Sequence, residues 1–132
     1  MPFVSRFVAA AMSCLLLSDA SAAPAFEAEA ICRAAIGFLM DRDPKAMQVS
    51  RIAGDVIFLT YLRPIDNFVW TYRCRIDGNR VAWGSEPGRW RDQPSDAKVS
   101  FEIVGAADQL RIIENRANGA VRKQLFDRAK IL

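Results

Sequence analysis

A chain of 132 residues, 52% hydrophobic and 25% charged, has the size and mix of one globular domain rather than a disordered segment. Its net charge of +3 is too mild for a nucleic-acid binder, which concentrates positive charge on one face. The absence of histidine removes Ser-His-Asp and Cys-His catalysis and, with so few cysteines, leaves zinc without a ligand set, so no metal and no cofactor are expected.

Residues 1–22 read as a signal peptide. Arg6 supplies a positive start, and Phe7 to Leu17 form an apolar run too short to span a bilayer. Ala20-Ser21-Ala22 fits the small-x-small cleavage rule, so the exported domain is expected to be 23–132, starting at Ala23. Cys14 lies inside the apolar run and belongs to the leader. The implied compartment is periplasmic or secreted, with no stable membrane insertion after cleavage. Two cysteines remain, Cys32 and Cys74, and two thiols in an exported chain most often pair.

Phe26 to Leu39 carries apolar residues at three-and-four spacing (Ala28, Ile31, Cys32, Ala35, Phe38, Leu39), which predicts a helix. Glu27 and Glu29 suit its positive end, and Asp43-Pro44 stops it. Val49 to Ile52, Gly54-Asp55 and Val56 to Leu62 predict a first hairpin. Its second strand is apolar on both faces, which predicts cover on both sides. From Phe68 to Ile76 a period of two sets Phe68, Trp70, Tyr72, Cys74 and Ile76 against Val69, Thr71, Arg73 and Arg75. Asp77-Gly78 then predicts a tight hairpin, pairing Cys74 with Val81, Tyr72 with Trp83 and Arg75 with Arg80. Both Cys32 and Cys74 fall on apolar faces, so a disulfide is expected to join helix to sheet.

After Trp83 the chain loses its period through Gly84 to Asp96, a stretch holding Arg89-Trp90-Arg91. Val99, Phe101 and Ile103 alternate with polar residues as a further strand. The last hairpin turns at Asn118-Gly119, which predicts pairs Glu114 with Lys123 and Ile112 with Leu125, and leaves Asp127 to Leu132 as an unpacked end. The expected fold is α+β: an N-terminal helix packed on a curved antiparallel meander sheet, or small barrel, of about seven strands.

No catalytic constellation stands out. Most aspartates fall at turns, where their side chains favour turn geometry. The candidate binding residues are Arg73, Arg75 and Arg80 on one sheet face and Arg89, Trp90 and Arg91 in the long loop, because arginine and tryptophan suit anionic groups and interface hot spots. Trp90 could also plug the open end of the sheet, and the arginines could simply solvate an outer face. Trp70, Tyr72 and Trp83 are expected to pack in the core, or to line a ligand pocket at a barrel mouth. The reading is a small exported non-enzymatic binding domain, inhibitor- or immunity-like, for an unknown protein or anionic ligand. The alternatives are a structural envelope component and a small acid-dependent hydrolase.

Overall fold

In the computed structural model, which describes residues 26–132, helix α1 (Ala28–Met40) is followed by β1 (Gln48–Ala53), β2 (Val56–Leu62), β3 (Val69–Asp77), β4 (Arg80–Ser85), β5 (Lys98–Val104), β6 (Gln109–Asn115) and β7 (Val121–Asp127). The expected signal peptide, its cleavage site and Cys14 lie outside the described residues. All seven strands form one antiparallel sheet in chain order. The sheet is open, with β1 and β7 at its edges, so the meander form is adopted and the barrel is not. Strands β4 and β5 share only two paired positions, Arg80 with Ser100 and Val81 with Val99. The sheet is therefore two wings joined at a narrow seam, and α1 packs against strands of both, β2, β3, β4 and β6. Among the described residues no helix is long and apolar enough to cross a membrane.

The core lies between α1 and one sheet face. Ile57 and Leu59 of β2, Tyr72 and Cys74 of β3, Val81, Val99, Leu110, Ile112 and Phe126 point inward onto Ile31, Cys32, Ala35, Ile36 and Phe38. Burial extends further round α1 than a single stripe, because Ala30, Ala34 and Gly37 are covered as well, whereas Ala28 is exposed. Cys32 and Cys74 form the expected disulfide, with Cα atoms 5.9 Å apart and both residues fully buried.

Register is where sequence and structure part. The β3–β4 turn is centred one residue later than expected: Asp77 pairs with Arg80, Cys74 with Trp83, Tyr72 with Ser85 and Arg75 with Ala82. Gly78 has φ +59° and Asn79 does not have a positive φ, as in a turn with glycine at the first central position. A type I′ turn would need positive φ at both central residues, and Asp77 stays extended in β3 instead. The shift moves every pair by two, so faces are preserved, and the expected opposition of Arg75 to Arg80 is replaced by Asp77 against Arg80.

The β6–β7 connection differs by one residue. Arg116 N–H donates to Ala120 C=O (2.8 Å) and Gly119 N–H to Arg116 C=O (2.9 Å), with Gly119 at φ +87°. This is a three-residue loop closed by a left-handed glycine. A one-residue slip turns every β7 side chain to the other face. Glu114 therefore pairs with Arg122 and Ile112 with Gln124; Phe126 points into the core and Leu125 outward.

Two further expectations fail. Strand β2 is covered on one face only: Phe58 is half-buried under the Arg51 guanidinium, 4.0 Å from its ring centre, and Leu62 is exposed. The C-terminal end is packed, not loose. After a short 3-10 turn (Arg128–Lys130), Ile131 is fully buried, and Arg128 N–H donates to Asp108 C=O (3.0 Å) while its guanidinium lies 4.0 Å over Phe26.

Candidate functional site

The period-two pattern of β3 sends Arg73 and Arg75 to the sheet face opposite α1, as expected. Beyond Val81 the outer edge of β4 is free of β5, and the long loop fills it. Gly84 bridges Trp90, Arg91 N–H donates to Trp83 C=O (2.8 Å), and Glu86 N–H donates to Thr71 C=O (2.8 Å). A side chain at position 84 would meet the Arg89 carbonyl oxygen at 2.5 Å, so only glycine allows the loop this close. Strand alternation then places Trp90 on the outer face and Arg91 on the inner one.

The six candidate residues are thereby divided. The Trp90 ring lies 4.8 Å from the Arg73 guanidinium and 5.3 Å from that of Arg75, so it stacks on the outer face and does not plug the sheet end. Arg73 also donates to Gly88 C=O and pairs with Glu86 at 3.3 Å. Arg89 grips Asp96 through two nitrogens at 2.6 and 2.9 Å, and this hydrogen bonding holds the Asp96 carboxyl down at about 2. Arg73 and Arg89 thus hold the loop. Arg75 and Arg80 border a small cleft of about 190 Å³ whose lining also contains Asp77, Arg91 and Asp92. Arg91 turns inward to Trp83, 5.9 Å from its ring centre.

On the inner face, β2, β3 and β4 run past the C-terminal end of α1. Asp41 takes the left-handed conformation (φ 53°, ψ 47°), and Arg42 N–H donates back to Gly37 C=O at 2.8 Å. This reversal ends α1 and lays Arg42 over Tyr61, 4.9 Å from its ring centre. Arg63 lies 5.8 Å from the Trp70 ring centre and 5.5 Å from that of Phe68, and the two rings meet edge to face at 5.1 Å. The result is a cleft of about 380 Å³ with an aromatic floor, Tyr61, Trp70, Tyr72 and Trp83, rimmed by Arg42, Arg63 and Arg91. No carboxylate lines it. Arg63 is neutralised by Asp66, but Arg42 and Arg91 form no ion pair among the described residues. Burial raises the Tyr72 pKa, so its phenol is a neutral hydrogen-bonding group at the floor.

The core face expected of β3 therefore changes character along its length. Tyr72 and Cys74 are buried beneath α1, whereas Phe68 and Trp70 are 52% and 40% exposed. Periodicity points to Trp70, Tyr72 and Trp83 as one face. Arg42 and Arg63 were not legible, because they sit in connections without a period, next to Asp43-Pro44 and Pro64. Among the described residues no group of acidic and cysteine side chains is arranged to hold a metal ion. No family model, curated protein or solved structure matches this chain.

Proposed function

We propose that this chain is an exported, non-enzymatic binding domain that takes an anionic partner in the cleft at the C-terminal end of α1. One observation carries the reading: three guanidinium groups rim a floor of four aromatic rings, and no acid lines the same space. Arg63 is already held by Asp66, whereas stacking on a ring leaves the guanidinium edges of Arg42 and Arg91 free for a carboxylate or phosphate. A volume of about 380 Å³ is within the range of small-ligand sites and would also admit a side chain of a protein partner. Export is supported by the leader-like sequence of 1–22 and by the buried disulfide, which persists in oxidising compartments. A hydrolase acting through acids alone would need two carboxylates facing one space; this cleft has none, and spaces that do hold more than one, such as Asp77 with Asp92 or Asp41 with Asp43 and Asp127, lie elsewhere. A structural envelope component would instead enter a stable assembly, and a freely soluble monomer would speak against it.

The test is capture from envelope extract on immobilised mature protein, with two charge-reversal pairs. Arg42→Glu with Arg91→Glu alters the cleft; Arg75→Glu with Arg80→Glu alters the outer face. The cleft pair should abolish capture with the melting temperature unchanged, and the outer pair should leave capture intact. Loss with the outer pair alone would move the site to the outer face, and capture unaffected by either pair would remove the proposal.

A further inference from the structure

The tip of the β2–β3 hairpin, residues 62–70, exposes five large apolar side chains on both sheet faces and at its apex. Leu62 and Val69 oppose each other on the outer face, each 53% exposed. Phe68 and Trp70 occupy the inner face, and Ile65 at the apex is 88% exposed. Apolar clusters of this kind mark interaction sites.

Several polar groups of the tip pair with one another, while the Asn67 side chain stays exposed to water. Arg63 N–H donates to Phe68 C=O (2.9 Å), Asn67 N–H to Arg63 C=O (2.8 Å), and Phe68 N–H to the Asp66 carboxylate (3.1 Å). The Arg63 Nε donates to the same carboxylate at 2.8 Å, so the one cation and the one anion of the tip cancel. Leaving water costs most for unpaired polar groups and unpaired charges, and this tip has few of either. Immediately beside it stand Arg42 and Arg91, neither of which forms a close ion pair among the described residues, although Arg91 also acts on Asp96 from a distance.

We propose that the hairpin tip docks into the headgroup layer of an anionic bilayer, with the adjoining arginine-rimmed cleft receiving a lipid phosphate. This rests on the anionic-partner reading above and names the partner class. Tryptophan and phenylalanine favour the interfacial layer, and basic side chains beside it add attraction to anionic lipid. One short hairpin gives reversible docking, not a span.

The test is co-sedimentation of the mature protein with vesicles of phosphatidylglycerol and phosphatidylcholine in equal parts, against pure phosphatidylcholine, together with the shift in tryptophan emission. Binding should favour the anionic vesicles. Ile65→Ser with Phe68→Ser should weaken it by about tenfold or more, since two apolar side chains no longer enter the interface. Arg42→Gln with Arg91→Gln should weaken anionic binding by about thirtyfold and leave the weak neutral binding alone. All four side chains are at the surface, so melting temperatures should not move. Equal binding to both vesicle types, or vesicle binding that either pair leaves unchanged, overturns the proposal. Cleft-dependent capture of a soluble partner with no sedimentation also overturns it, and leaves the anionic-cleft reading standing.

Discussion

Removing the disulfide tests how this fold is held together. The bridge closes a loop with a sequence separation of 42, linking the middle of α1 to the middle of β3. In the chain-entropy model a loop of that length restricts the unfolded chain by about 4 kcal/mol. That is a large share of the roughly 5–15 kcal/mol available to a whole domain. Replacing Cys32 by Ala and Cys74 by Val keeps the fully buried site apolar and close to its volume, so most of the loss should come from the missing crosslink. Urea unfolding should show a loss of about 3–4 kcal/mol, equivalent to a fall in melting temperature of about 15 °C for a domain this size. The slope of the unfolding curve should rise, because an unlinked chain exposes more surface. A loss below about 1 kcal/mol would refute the reasoning: it would mean that α1 is held on the sheet by packing alone and that the crosslink restrains little.

Two other measurements probe the places where the structure departs from simple patterning. The Arg122 guanidinium donates to the Phe38 carbonyl and pairs with Asp41, both at 3.1 Å, and its Nε reaches the 7%-exposed Glu114 at 3.3 Å. Arg122→Met should cost about 2 kcal/mol in chemical denaturation, less than for an isolated buried pair because Arg116 still meets Glu114, and adding Glu114→Gln should recover part of it. A loss within 0.5 kcal/mol, the usual range for a surface change, would mean that the β7 register contributes nothing through this network. Asp96 has its carboxyl lowered from 3.8 to about 2 by the hydrogen bonds from Arg89, so the pairing stabilises the long loop above pH 3.8 and is lost as pH falls from there toward about 2. The indole NMR signal of Trp90 should hold its position through neutral and mildly acidic pH and move only in that window; in Asp96→Asn the same step should vanish, and a step surviving in that variant would show that another group controls the loop.

The elements themselves were legible because their signals are local. A period of two, a glycine at each tight turn and two cysteines on apolar faces are enough to give the meander, the helix and the bridge. What was not legible depends on choices of one residue. At Asp77-Gly78-Asn79 the dipeptides Asp-Gly and Gly-Asn both permit a two-residue turn, and which residue adopts positive φ decides whether Cys74 faces Val81 or Trp83. At Asn118-Gly119 the competing solution is a longer loop, and the consequence is larger, because Phe126 and Arg122 exchange faces with Leu125 and Lys123. The apolar outer positions of β2 suggested a second covering layer, yet a single guanidinium from Arg51 shields Phe58. Ile131 was missed for a different reason: one apolar residue at a chain end has no period, and only the tertiary fold supplies the hole it fills.

The candidate cleft follows from a mismatch of lengths. An α1 of 13 residues is about 20 Å long, at ~1.5 Å per residue. A β3 of 9 residues extends about 30 Å, at ~3.3 Å per residue. Inner-face side chains beyond the helix end have no helix above them, and in this chain they are aromatic. Trp70 is therefore floor of a cleft and not core, although it continues the same alternation as the buried Tyr72 and Cys74. The left-handed turn at Asp41 fixes where that change occurs, since it stops α1 and turns Arg42 back over Tyr61. One more turn of helix would cover the ground where Trp70 meets Arg63, so the residues that end α1 shape the cleft as much as the aromatic rings that pave it.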